Sequence, residues 1–204
     1  MKWEPIECEY SPELLKGAMD RAAHLGKLRN SIRSGAGNTV GYIGEAVFTE
    51  LFGGMLEEDK EKLYQYDVLH PELGKVEVKT KSTGVNYVKE HYEGSVAAFN
   101  PNQECDNYVF MRVNEDLRKA WFCGYIPKKY FVKYSKRIES GDHDARNDWT
   151  ASAKCYNIDY ETCNTMLEIR LPPDPKVKLV PKIEIVWNKS SRSGRPVGTV
   201  QITK

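Results

Sequence analysis

The sequence predicts an α/β fold in which a mixed β-sheet is flanked by helices. Three observations point to it: apolar residues recur every three or four positions up to Phe52, the period drops to two from Tyr64, and Pro127 reopens a helical pattern after several strand-like runs. A length of 204 residues, 40% of them hydrophobic, suits one domain with its own core. The mean hydropathy of -0.60 is low, but 4 Trp, 12 Tyr and 6 Phe must pack somewhere, which excludes a disordered chain.

The elements follow in order. Ser11 reads as an N-cap, and Leu14, Ala18, Ala22 and Leu25 form an apolar stripe, predicting a helix from Ser11 to about Asn30. Ser31 to Asn38 reads as a flexible break, with Gly35 to Asn38 as its hinge. A second helix carries Val40, Ile43, Val47 and Leu51 on one face and stops at Gly53-Gly54. Tyr64–His70 and Lys75–Lys81 alternate like two strands around the turn Pro71-Glu72-Leu73-Gly74, predicting an antiparallel hairpin. Asp106–Val113 and Lys119–Ile126 predict two more strands, and Pro127 begins a helix through about Ile138. Glu139–Lys154 reads as a polar loop, Tyr156–Tyr160 as a short strand, and Glu161–Arg170 fits either helix or strand.

Charge is unevenly distributed. Seven basic residues against Asp174 and Glu184 give 172–204 a charge of +5, so with +1 overall the remainder carries -4. This segment alternates like two strands around a tip holding Lys189, Arg192 and Arg195, and predicts an appended basic hairpin, 172–204, on a core of 1–171. The serines and glycine between those cations would let backbone amides reach phosphates as well.

Several classes are excluded. No apolar run approaches the roughly 18 residues that cross a bilayer, and the first ten residues lack the basic-then-apolar order of a secretory leader. The expected location is therefore cytoplasmic, with no membrane partner. The five cysteines are odd in number and form no C-x-x-C pair, so they read as reduced thiols rather than a zinc site or disulfides. Gly35-Ala36-Gly37-Asn38 lacks the Gly-Lys-Ser/Thr of a phosphate loop, and no Ser or Cys nucleophile motif occurs. Asp142, His143, Asp144 and Asp148 lack the offsets of a calcium loop.

One constellation carries chemistry. In Lys75–Lys81 the alternation puts Glu77, Lys79 and Lys81 on one face, and an exposed charged face is what any half-buried strand can show. Asp67, however, interrupts a strand-prone segment just upstream. Glu45 sits among Ile43, Val47 and Phe48, where burying a carboxylate costs several kcal/mol unless it meets a cation or lysine. Gly41 and Gly44 would let this helix approach a sheet closely. Register decides the rest. A three-residue loop pairing His70 with Gly74 sets Asp67 opposite Glu77, whereas a two-residue loop puts the acids on opposite sides, so the constellation demands the former register or a bulge.

In this order, the helix with Glu45, the strand with Asp67 and the strand with Glu77-x-Lys79 resemble the PD-(D/E)XK nuclease superfamily over about Val40 to Ile126. Tyr66 stands where that family usually has proline. The resemblance implies a restriction-endonuclease-like fold, with a crossover helix falling between Tyr87 and Phe99 and a further strand before Asp67. It implies a Mg2+ site, with Mn2+ as a substitute, held by Asp67, Glu77, the carbonyl of Val78 and Glu45, and a water-activating role for Lys79. Magnesium takes hard oxygen ligands in octahedral geometry, and such an ion acidifies water and stabilises a leaving oxygen at phosphorus.

The expected substrate is DNA. Lys27, Arg29 and Arg33 precede the Glu45 helix and Lys75, Lys81 and Lys89 surround the E-x-K strand, where cations would hold the phosphate backbone; His91 is a weaker substrate-side contact. A homodimer would follow if both strands are cut, since one site cuts one strand. Two other readings fit the same residues: a non-catalytic nucleic-acid-binding module of this fold, and a structural or assembly protein whose charged strand face is only solvated.

Overall fold

The computed structural model describes residues 3–25, 36–59, 61–98, 103–146, 148–163, 182–189 and 196–203, the last two segments and 36–38 at the level of the backbone. Strand β1 (Ile6–Glu9) leads into helix α1 (Pro12–Leu25), which starts where Ser11 Oγ accepts the Leu14 N–H at 3.1 Å. Helix α2 (Ala36–Phe52) begins earlier than expected, taking in Ala36, Gly37 and Asn38. The first-turn amides of a helix have no intrahelical partner to lose, so small residues are tolerated there. Its end is as predicted: Gly53 and Gly54 take φ of +86° and +102°, open to glycine at little cost.

The chain then forms β2 (Met55–Leu56), β3 (Val68–His70), β4 (Gly74–Ser82), β5 (Glu93–Ala97), β6 (Asn107–Asn114) and β7 (Lys119–Pro127). Helix α3 (Lys128–Tyr134) follows, then β8 (Lys136–Ile138), β9 (His143–Asp144), β10 (Trp149–Thr150), β11 (Cys155–Asp159), β12 (Lys182–Lys189) and β13 (Pro196–Thr203). Eight strands make one mixed sheet in the order β12-β13-β1-β7-β6-β4-β3-β2, parallel at β4–β6 and β13–β1. The fold is thus mixed α/β, as the sequence predicts.

The sheet is buried on both faces. Val76, Val78, Val109 and Met111 meet Val40, Ile43, Val47 and Phe48 of α2 and Ala18 and Leu25 of α1. On the other face Tyr108, Phe110 and Trp121 meet Phe131 of α3 and Val96 and Ile158 of a smaller sheet ordered β5-β11-β8. All five cysteines are free and buried. Among the described residues no helix is long and apolar enough to cross a membrane.

Four local expectations need correction. Tyr64–Asp67 is not strand: Lys62–Tyr64 forms a 3₁₀ turn that buries Leu63, and Tyr66 turns its hydroxyl to Glu57 Oε2 at 2.6 Å, so tertiary contacts override strand propensity. The helix after Pro127 ends at Tyr134, because 136–138 pairs with β11 instead. The polar loop 139–154 contains the short β9–β10 ladder. The crossover from β4 to β6 carries β5 in place of a helix. β5 forms because it pairs along its length with β11, and Gly94 lets it lie close to β6, since a Cβ there would stand 2.5 Å from the Phe110 ring.

The basic C-terminal hairpin forms with Lys182 opposite Thr203, and β13 joins the main sheet beside β1, so this segment extends the sheet rather than standing apart from it.

Candidate active site

The site begins with a turn. His70 is buried; its Nε2 donates to the Phe52 carbonyl at 3.0 Å while Nδ1 accepts the amides of Glu72 and Leu73 at 3.2 and 3.1 Å. That pattern requires the neutral imidazole, and burial pushes its pKa down accordingly. It pins a three-residue loop in which His70 pairs with Gly74, Leu69 with Lys75 and Val68 with Val76. The expected loop length is present, but the ladder ends at Val68 and Asp67 does not continue it to Glu77.

Past this point β3 and β4 separate. The Asp67 amide still donates to the Val76 carbonyl at 2.9 Å, but the next bond is made by the side chain: Asp67 Oδ2 accepts the Val78 amide at 2.8 Å. On β4, Lys79 Nζ lies 2.5 Å from Glu77 Oε1, and Glu77 is only 4% exposed. Glu77 and Lys79 pair with Tyr108 and Phe110 of β6, so they project on the α3 side of the sheet.

Glu45 arrives from the other side on α2. Its neighbour Gly44 permits this, because a Cβ at Gly44 would come within 1.9 Å of Thr80 Oγ1 on β4; Gly41 has open space instead. Glu45 is 6% exposed, and its counter-charge is Arg21 of α1, with Nη2 3.5 Å from Oε2. Arg21 also donates to the Glu57 carbonyl at 2.6 Å and to Glu58 at 3.0 Å, and lies 5.2 Å over the Tyr42 ring.

The charges do not balance. Among the described residues, Arg21 and Lys79 are the cations that act on Glu45 and Asp67, and Lys79 pairs with Glu77. Burial holds the Glu45 carboxyl well above the usual range, the Asp67 charge adds to this, and Arg21 opposes it. Burial and then Glu77 raise Asp67 to about 8, against the pull of Lys79 and the Val78 amide. Burial alone would lower Lys79, but Glu77 and Asp67 outweigh it and keep the ammonium charged. Glu45 Oε2 and Glu77 Oε2 are buried without a hydrogen-bond partner among the described residues. As they stand, no three His, Cys, Asp or Glu side chains among the described residues converge on one ion position. Lys79 occupies one oxygen of Glu77, and Val78 occupies one of Asp67.

The other expected contacts are scattered. Lys81 shares the face of Lys79 but is not a solvated lysine: Nζ lies 2.5 Å from Ser95 Oγ and 5.3 Å over Trp149, and burial, then Arg112, lowers it to about 8. Lys89 lies 5.8 Å over Tyr92. Lys75 pairs with Glu104 at 3.7 Å. His91 lines a cleft of about 270 Å³ with Glu93, His143 and Trp149. Asp144 and His143 pair with Trp149 and Thr150 in the short ladder. Lys27, Arg29, Arg33, Arg192 and Arg195 lie outside the described residues, and Lys189 is described only as the last residue of β12.

Arg21, which pairs with Glu45, and His70, which pins the turn before β4, are the residues around this cluster that sequence reasoning missed. Arg21 had a signal, since it falls three residues after Ala18 and four before Leu25, a cation on the apolar side of α1. A scan against protein-family models finds no match, and neither does a search of curated proteins.

Proposed function

We propose that this chain is a Mg2+-dependent nuclease of PD-(D/E)XK type, with a restriction-endonuclease-like core, that hydrolyses DNA phosphodiester bonds. The observation that carries the reading is the burial of three carboxylates within electrostatic reach of one another, Glu45 beside Asp67 and Asp67 beside Glu77, with Lys79 on Glu77. Buried carboxylates in excess of their cations, two with unpartnered oxygens, are the chemistry that a hard divalent ion satisfies. Asp67, Glu77, the Val78 carbonyl and Glu45 would hold Mg2+ or Mn2+. The ion, when bound, supplies acidification of the attacking water and stabilisation of the leaving oxygen.

The chain's own groups have separable roles. Lys79 stays an ammonium, so it serves to orient the attacking water and offset negative charge developing on phosphorus rather than to accept a proton. Lys81 and Lys89 extend the cationic face toward adjacent phosphates. Cutting both strands would call for two such sites, hence a homodimer.

The test is cleavage of supercoiled plasmid and linear duplex with Mg2+, with Mn2+ and with EDTA, for the wild type and for Lys79→Ala and Asp67→Asn. Metal-dependent cleavage that both variants lose supports the reading. DNA binding without cleavage by the wild type would leave only a binding module of this fold, and neither binding nor cleavage would leave a structural protein.

A further inference from the structure

Helix α3 has the sequence KKYFVKY and no acid lies between Pro127 and Glu139. One of its residues, Phe131, is buried, its ring tilted against Tyr108 and Phe110 with centroids 4.8 and 6.1 Å away. The rest of its surface is open: Tyr130, Val132 and Tyr134 are 44, 71 and 50% exposed, Tyr130 and Tyr134 sharing one flank and Val132 standing on the other. The two tyrosine rings stack on successive turns with centroids 6.4 Å apart and planes 27° from parallel. Lys129 and Lys133 lie over them, each 4.9 Å from a ring centroid. Neither lysine forms an ion pair among the described residues, whereas Lys136 pairs with Glu93 and Asp159, and Arg137 with Glu139.

We infer that this face of α3 is a stacking platform for single-stranded nucleic acid, with bases on Tyr130 and Tyr134 and phosphates on Lys129 and Lys133. A duplex offers its phosphates but keeps its bases paired, so it would use the lysines and not the rings. A strand with free bases uses both. A protein partner is less well matched, since lysine is depleted in the core of such interfaces and here it alternates with the aromatics. The platform is also anchored beside the acidic cluster. Phe131 packs on Tyr108 and Phe110, the β6 partners of Glu77 and Lys79, so a strand held on α3 lies on the sheet face from which those two project. The inference goes beyond the hydrolytic reading and does not depend on it.

The experiment is fluorescence anisotropy of the full chain in EDTA with labelled oligothymidine, oligouridine and a duplex of equal length. The single strands should bind more tightly than the duplex, and the DNA and RNA arms decide which backbone is preferred. Tyr130→Ala with Tyr134→Ala should weaken single-strand binding roughly tenfold per ring and leave the duplex nearly unchanged. Tyr130→Phe with Tyr134→Phe should keep it. Lys129→Ala with Lys133→Ala should lower the slope of log affinity against log salt by about 1.4. The four substituted positions are all exposed, so unchanged far-ultraviolet dichroism and Tm should accompany every variant. The inference is overturned if the wild type binds no single strand, if the alanine pair at 130 and 134 binds as well as wild type, or if that pair converts a dimer to a monomer in sedimentation, which would make the face a self-interface. Binding is read in EDTA, apart from any cleavage, so failure of the nuclease proposal would leave this result standing.

Discussion

Lys79 Nζ and Glu77 Oε1 stand 2.5 Å apart on one strand, two residues from each other on the same face, and Glu77 is almost wholly removed from water. The pair is therefore both the candidate chemistry and a structural commitment, since removing one partner of a buried ion pair leaves the other uncompensated.

Lys79→Met separates these roles. With the ammonium gone, Glu77 stays buried near Asp67 with no cation in contact, and the variant should lose about 3 kcal/mol of unfolding free energy. Urea titrations of Lys79→Met alone and combined with Glu77→Gln measure this; a loss that Glu77→Gln does not relieve would refute the uncompensated-charge account.

Asp67→Asn should behave in the opposite sense. The Asp67 carboxyl is raised from 3.8 to about 8, so between those values the folded state holds a proton that the unfolded chain has released. Stability from this group is full below 3.8, falls as pH rises through the window, and is constant again above about 8. Asparagine keeps an oxygen for the Val78 amide and removes the charge. The variant should be more stable than wild type at pH 8, by roughly 1.4 kcal/mol for every tenfold gain in proton affinity that burial had imposed on the carboxyl, with the difference shrinking toward pH 5, while losing cleavage. His70, whose depressed pKa makes stability fall with acid, is common to both proteins and cancels from the comparison.

Divalent metal should act on the same charges. A ligand at ten times its Kd stabilises by about 1.4 kcal/mol, and binding to protonated carboxyls must release protons. Mg2+ should raise Tm more at pH 8.5 than at pH 6.5, and calorimetry at pH 7 in buffers of different ionisation enthalpy should show protons leaving. Glu77→Gln should abolish both effects. A Tm that Mg2+ leaves unmoved at pH 8.5 would count against the site.

Arg21 is the second cation, 10% exposed, and it ties α1 to Glu45, the Glu57 carbonyl and Glu58. Arg21→Ala should cost about 3 kcal/mol, and Glu45→Gln in that background should recover part of it, a coupling that a double-mutant cycle reads directly. Arg21→Lys should fall between, because an ammonium cannot span three acceptors on different elements.

What the sequence made legible follows from periodicity and spacing. The α1 stripe, the α2 stripe with its Gly53-Gly54 stop, the β6–β7 hairpin and the C-terminal hairpin are local patterns, and local patterns survive folding. The three-residue turn before β4 could be written as a condition on loop length, but what fixes it is His70, whose two accepted amides are visible only once the turn exists, and the departure of Asp67 from the ladder beyond it had no local signal. Glu45 announced itself as a carboxylate in an apolar stripe. Its partner did not, because the Arg21 ion pair joins residues 24 apart across two helices. The short α3 and the strand in the β4–β6 crossover were illegible for the same reason: β11 recruits both 136–138 and β5, and a pairing between distant strands outweighs the local preference of either.

The closest approach of helix and sheet gives the last prediction. Gly44 lies next to Glu45 and has no room for a side chain, its hypothetical Cβ falling 1.9 Å from Thr80 Oγ1 and 2.9 Å from Cγ2. Gly44→Ala must push α2 off β4, at a cost of about 1–3 kcal/mol, and must carry Glu45 away from Asp67 as it does so. Gly41, three residues earlier on the same helix, has nothing within 4 Å, so Gly41→Ala should stabilise by about 0.5–1 kcal/mol through the unfolded chain alone. Thermal unfolding of the two variants should therefore shift in opposite directions. Thr80→Ala, which removes the hydroxyl and methyl but keeps the Cβ, should rescue Gly44→Ala in part. If Gly44→Ala were as stable as wild type, α2 would not sit against β4 at this distance, and the route by which Glu45 reaches the acidic cluster would have to be redrawn.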